Sequence, residues 1–264
     1  MLGQALPRLR TKISAVVPTG KPFSQVKSRY KDLQQIHSGA FGTAYKAVLN
    51  GKKVVVKVVH EHAGTGWSTA TILRGTADEA RILSKLQKFP FIPRLIEIGT
   101  DYFTMEDVDG VGMHVELSKG MTAHKGLSIV IAVGVMASLL HREGVAHSDL
   151  HPGNILLTPN GVVLIDFGVA VERDRPPTVA LDRRKDFREG MGQDIKYLLN
   201  IIDIFTQWPN WPPQLINALV PLKNGFHARV ERGEYDEETG KELARELSFI
   251  VAQLGAMKSA TRLA

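Results

Sequence analysis

The residues best suited to chemistry lie between His147 and Gly168, in the run HSDLHPGNILLTPNGVVLIDFG, where carboxylates and an amide punctuate apolar stretches. Asp149 and Asn154 are five positions apart with Pro152 and Gly153 between them, so a turning loop, not a helix, carries both side chains toward one point. Ile155, Leu156 and Leu157 then pass through Thr158-Pro159-Asn160-Gly161 into the β-branched run Val162-Val163-Leu164-Ile165, which reads as a hairpin of two short strands. The hairpin ends at Asp166-Phe167-Gly168, and antiparallel pairing predicts that Asp166 returns beside Asn154. Oxygen ligands gathered this way suit a Mg²⁺ ion.

Upstream elements must supply whatever faces this loop. Val54-Val55-Val56-Lys57-Val58-Val59 reads as a strand with one lysine in an apolar interior, and an unpaired buried ammonium costs several kcal/mol. Its candidate partner is Glu79, in the helical stretch Ala77 to Leu86 with an apolar stripe at Ile82, Leu83 and Leu86. Before that strand, His37 to Tyr45 reads as strand, glycine turn, strand, and Gly39 and Gly42 would let backbone N–H groups approach a triphosphate unobstructed. Asn50-Gly51 signals a type I′ hairpin turn. Arg94 to Gly99 and Tyr102 to Glu106 read as two more strands, giving an expected sheet of five.

Taken together these motifs resemble the protein-kinase superfamily, whose H-R-D-L-x-x-x-N loop and D-F-G signature the chain follows with Ser148 in place of the usual arginine. The resemblance runs from about Leu33 to Phe205 and implies an α+β, bilobal protein-kinase-like fold. The expected N-lobe, 31–106, has a five-stranded antiparallel sheet and one helix; the expected C-lobe, 107–264, is helical and reduced. The resemblance implies ATP and Mg²⁺ as cofactors. Asp149 would orient the attacking hydroxyl and accept its proton, Lys57 would hold the α and β phosphates while paired with Glu79, and Asn154 and Asp166 would hold the metal. The implied nucleotide site comprises Ser38, Gly39, Ala40, Phe41, Gly42, Ala44, Val55, Lys57, Met105, Glu106, Val108 and Leu156. In it the backbone of Glu106 and Val108 would bond adenine and Met105 would wall the pocket. Asp194, at the start of a buried helix, matches the aspartate that anchors the catalytic-loop backbone in kinases.

Within the superfamily, Asp149-Leu150-His151-Pro152-Gly153-Asn154 is similar to the loop of ABC1/UbiB-like kinases. The short segment after Gly168, which lacks an A-P-E motif, and the small helical lobe look more like the minimal kinases that bacteria inject into host cells. Ser148 carries no charge for a loop phosphate to balance, and Thr178 is the only hydroxyl between Val169 and Gly192. The expectation is therefore a minimal Ser/Thr kinase acting on a protein substrate without activation-loop phosphorylation, with a partner-protein activator as a route of control. The alternatives are a small-molecule or lipid-pathway kinase of the atypical type and a nucleotide-binding pseudokinase that docks partners.

Composition frames these readings. At 264 residues with 44% hydrophobic and 23% charged, the chain can bury a sizeable core as one two-lobed domain or two small ones. With no cysteine, disulfides, thiolate nucleophiles and Cys-zinc sites are excluded. No run approaches 18 uncharged apolar residues, so no membrane span is expected. The net charge of +6 gathers in Met1 to Lys31, which has no acid but holds Arg8, Arg10, Lys12, Lys21, Lys27, Arg29 and Lys31, and is broken by Pro7, Pro18, Gly20 and Pro22. A basic flexible arm over 1–30 is expected there, with no nucleic-acid partner. The expected location is the cytoplasm, with export into a host cell as the alternative.

Overall fold

The computed structural model describes residues 15–38, 42–59, 69–175, 186–208 and 211–261. These fall into two compact units. One holds the described residues up to Gly110 together with Val163–Ala170; the other holds Val111–Val162, Val171–Arg175 and the described residues from 186 onward.

The first unit opens with β1 (Val17–Pro18), the short helix α1 (Phe23–Val26) and a 3₁₀ turn over Lys27–Arg29. Next come β2 (Tyr30–Ser38), β3 (Gly42–Leu49), β4 (Lys52–Val59), the helix α2 (Thr69–Lys85), β5 (Leu95–Ile98) and β6 (Tyr102–Glu106). Asn50 and Gly51 join β3 to β4 at φ +51° and +74°, the two positive values a type I′ turn requires. The five expected strands form an antiparallel set, but the sheet has six, in the order β1-β5-β6-β4-β3-β2, because β1 adds in parallel to β5.

That sixth strand corrects the reading of 1–30 as a flexible arm for its described part. The Thr19 N–H donates to Ile98 O at 2.9 Å and the Phe23 N–H to Asp101 Oδ1 at 2.7 Å. Phe23, Val26 and Tyr30, spaced three and four apart, bury one stripe against Ala47, Leu49, Val54, Val56 and Tyr102. Burying the first two side chains contributes roughly 1.5–3 kcal/mol each, which offsets part of the entropy of fixing this segment. Glu97 on β5, only 2% exposed, accepts hydrogen bonds from the Tyr30 hydroxyl, from Tyr102 Oη at 3.0 Å and from Arg29 Nη2 at 3.0 Å. Burial, and then the Glu97 carboxylate, push the Tyr30 phenol well above its ordinary pKa, so it stays a donor. One cation of the acid-free stretch, Arg29, is thus paired with an acid far along the chain. Residues 1–14 lie outside the described set.

The second unit comprises β7 (Val111–Gly112), α3 (Met113–Ser118), α4 (Ala123–Arg142), β8 (Val145–Ala146), β9 (Ile155–Thr158), the first half of β10 (Gly161–Leu164), β11 (Val171–Glu172), α5 (Phe187–Thr206), α6 (Pro213–Glu231) and α7 (Thr239–Thr261). The expected hairpin is β9 with β10, in a sheet ordered β10-β9-β7, while β8 pairs with β11. Thr122 caps α4 by accepting from the Lys125 N–H at 3.3 Å, and Gly144 at φ +71° turns the chain out after its end. By length and composition α4 could cross a membrane, yet Leu127, Val130, Val133, Ala137 and Leu140 are buried, as in the core helix of a globular unit. It lies so close to α7 that a Cβ on Gly134 would meet Gly240 O at 2.7 Å, and one on Gly240 would meet Gly134 O at 2.5 Å. Asp186 and Glu189 form a reciprocal capping box at the start of α5, which fixes where that helix begins.

Candidate active site

Strand register decides what the first unit presents. Ala44 lies opposite Lys57 across β3 and β4, and Val55 lies opposite Met105 across β4 and β6. Directly opposed residues of an antiparallel pair share a face, as do alternate residues of one strand, so Ala44, Val55, Lys57 and Met105 project from the same face. Val54 and Val56 project from the other, into the core that covers Phe23 and Tyr30.

Lys57 has the partner its surroundings demand. Its Nζ is 2.6 Å from Glu79 Oε2 on α2 and 3.1 Å from Asp166 Oδ1, and its side chain is 12% exposed. Burial by itself lowers a lysine's pKa, but the carboxylates of Glu79 and then Asp166 more than reverse this and hold Lys57 above its ordinary value. The group is therefore a standing cation, fixed between two acids. Asp166 sits at φ +60°, in the left-handed region, and accepts the Gly168 N–H at 3.3 Å. A Cβ on Gly168 would come within 3.1 Å of Asp166 Oδ1 and 3.5 Å of Lys57 Nζ, so glycine keeps room beside the cluster.

The other nucleotide residues are placed unevenly. Gly42 begins β3, where a Cβ would meet Val58 O at 2.4 Å, so close strand approach by itself demands glycine there. Ser38 pairs with Thr43 at the strand ends; Gly39, Ala40 and Phe41 lie outside the described residues. Glu106 is committed to Arg94 twice, donating its N–H to Arg94 O at 2.9 Å and accepting the Arg94 N–H on Oε1 at 2.8 Å. Val108 follows β6 in an irregular stretch, and Leu156 sits on β9 opposite Gly112 in the second unit.

In the second unit the loop after β8 is held from α5. Asp194, fully buried, accepts the His147 N–H at 2.9 Å and the Ser148 N–H at 2.7 Å, and contacts His141 Nε2 at 2.9 Å. Ser148 is in the left-handed region at φ +66°, a conformation costing a non-glycine residue on the order of 1 kcal/mol, which hydrogen bonds to a buried carboxylate offset. Its Oγ is buried without a hydrogen-bond partner, and the residue itself carries no charge where the family has arginine. Asn154 donates its Nδ2 to both Asp149 O at 2.9 Å and Asp149 Oδ2 at 3.1 Å. That leaves the Asn154 carbonyl oxygen as the atom available to a cation. Amide and carboxylate oxygens of this kind are hard donors, the chemistry that suits Mg²⁺. Among the described residues no group of three or more His, Asp or Glu gathers to hold an ion alone.

One residue of this loop's surroundings escaped the sequence reading. Tyr197 donates its hydroxyl to Asp149 Oδ1 at 2.9 Å. Burial and the Asp149 carboxylate push its phenol up to about 12, so it remains protonated. Its only signal in the sequence is its position three residues after Asp194, which puts both on one helix face.

The first unit thus offers a buried cation with its acids, suited to phosphate; the second offers a carboxylate held by neutral donors, suited to accepting a proton. A model of the protein kinase domain matches residues 30–186, and the chain belongs to the protein kinase family. It is 30% identical over 166 residues to the serine/threonine-protein kinase PknA of Mycobacterium tuberculosis, covering 58% of this chain and 38% of that protein. It is 29% identical over 166 residues to the probable serine/threonine-protein kinase pknA2 of Bifidobacterium longum, covering 57% and 21%. The match to the probable serine/threonine-protein kinase BUD32 homolog of Archaeoglobus fulgidus is 26% over 175 residues, covering 66% and 79%. The chain therefore spans well under half the length of the first two relatives and most of the third.

Proposed function

We propose that this chain transfers the γ-phosphoryl group of ATP to serine or threonine hydroxyls of proteins. The observation that carries the reading is Lys57, held 2.6 Å from Glu79 and 3.1 Å from Asp166 on an otherwise apolar strand. Burying such an ion cluster gains little for stability by itself, so a functional role is favoured, and phosphate is the ligand that the family's resemblance supplies. Lys57 holds the α and β phosphates, Glu79 fixes Lys57, and Ala44, Val55, Met105, Glu106, Val108 and Leu156 receive the base. Asp149 orients the acceptor hydroxyl and takes its proton. Asn154 and Asp166 would hold Mg²⁺, which when bound neutralises phosphate charge.

The same reading extends to control. The neutral, half-buried Ser148 leaves no arginine to be balanced by a phosphate, so activity does not await activation-loop phosphorylation, and regulation falls to a partner protein. Thr178, the hydroxyl that such a phosphate would occupy, lies outside the described residues.

The test is transfer of ³²P from labelled ATP to casein with Mg²⁺ present, comparing wild type with Asp149→Asn. Wild-type labelling of serine and threonine, reduced at least about a hundredfold in the variant, is expected. Equal labelling by both proteins, or none by either, overturns the proposal.

A further inference from the structure

We propose that Tyr197 is a positioning residue for phosphoryl transfer, locking the rotamer of Asp149 from α5; the inference rests on the kinase reading above. A catalytic carboxylate must aim one acceptor lone pair at the incoming hydroxyl, and an aspartate side chain has two torsions free to spoil that aim. Asp149 is 31% exposed on its side chain, so packing alone does not hold it. Its two oxygens are held instead by separate donors, Oδ1 by the Tyr197 hydroxyl at 2.9 Å and Oδ2 by Asn154 Nδ2 at 3.1 Å.

The two donors are not equivalent. Asn154 belongs to the same loop, so its bond moves with Asp149, and its own carbonyl is wanted by the cation. Tyr197 belongs to α5, one turn beyond Asp194, which already grips the His147 and Ser148 N–H groups. One helix face therefore holds the loop's backbone through Asp194 and the base's side chain through Tyr197. His151 is a poor substitute, because its Nε2 stands 3.5 Å from Asp149 Oδ2 and its side chain is 45% exposed. Tyrosine suits the task chemically: held protonated, it has a single proton to donate and cannot compete as the base. An ionised carboxylate has about four acceptor sites, so two bonds leave room for the substrate's proton.

The experiment is steady-state and single-turnover kinetics of Tyr197→Phe, which keeps the ring and removes only the oxygen, alone and combined with Asp149→Asn. In the wild-type background kcat should fall about tenfold to a hundredfold, as for loss of one hydrogen bond to a charged group, with KM for ATP within about twofold and the thermal midpoint lowered by no more than a few degrees. In the Asp149→Asn background the same change should cost less than about twofold, because the carboxylate it aims is gone. A Tyr197→Phe enzyme with wild-type kcat overturns the inference and leaves the kinase reading standing. So does an equal loss in both backgrounds, or a loss of kcat that comes with a midpoint lowered by more than a few degrees and a raised KM for ATP. A wild type that labels no acceptor overturns the kinase reading and this inference together.

Discussion

The Lys57 cluster and the Asp149 loop do related work by opposite means. Lys57, Glu79 and Asp166 are charges brought together by a strand, a helix and the end of a hairpin, and Coulomb attraction in a partly buried setting holds them. Asp149 is a charge held by neutral donors, Tyr197 and Asn154, on a loop whose backbone is hydrogen-bonded to Asp194. The first arrangement tolerates small displacements, because attraction falls slowly with distance. The second depends on direction, because hydrogen bonds weaken steeply off axis. Damage to the first should show as lost charge, and damage to the second as lost aim.

The largest effect expected is at Asp166. Asp166→Ala removes both a metal-directed carboxylate and one of the acids on Lys57, and should lower phosphoryl transfer by about a thousandfold or more while the thermal midpoint stays close to wild type. Turnover within tenfold of wild type would take Asp166 out of the site.

Lys57→Met should follow, lowering kcat about a hundredfold or more with a smaller rise in KM for ATP, since methionine keeps the apolar stem and removes the charge. The pH dependence sharpens the comparison. The folded-state pKa of Lys57 is raised above the ordinary 10.5, so the stability its charge contributes is fully present below that value and is lost only as pH rises through the higher, folded-state value. The difference in thermal midpoint between wild type and Lys57→Met should therefore stay constant from about pH 7 to pH 10. A gap that closes across that interval would mean the ion pair does not hold the lysine charged.

Asp194→Asn breaks the second region at its root. The amide replaces one acceptor oxygen with a donor aimed at a backbone N–H of His147 or Ser148, leaving that group buried and unpaired. A loss of about 2–4 kcal/mol is expected, read as a midpoint lower by roughly 5–15 °C in calorimetry, together with most of the activity. The smallest effect is expected at Thr178: phosphatase-treated wild type and Thr178→Ala should both transfer phosphate within about twofold of untreated enzyme. Loss of most activity in both would mean that a loop phosphate is needed after all, read by a cation elsewhere in the chain such as Arg183 or Arg184.

What could be read from the sequence was whatever depends on short spacing or on a local rule. Asp149 and Asn154 share a loop because proline and glycine between them prevent an α-helix and leave only a 3₁₀ turn over Pro152–Asn154, Asn50-Gly51 demanded its turn, and Lys57 called for an acid because valines surround it. Even the partner, Glu79, was within reach, since the first strongly helical stretch after the strand carried it. Tertiary structure alone decided two other matters. Charge counting marked the stretch before Lys31 as a free arm, because its apolar stripe is only Phe23, Val26 and Tyr30 and the acid that answers Arg29 is Glu97, on another strand. Nothing in the sequence tied Tyr197 to Asp149 either. The contact joins a loop to a helix across 48 positions, a separation at which no periodicity links the two residues and only the packing of α5 under the loop brings hydroxyl and carboxylate together.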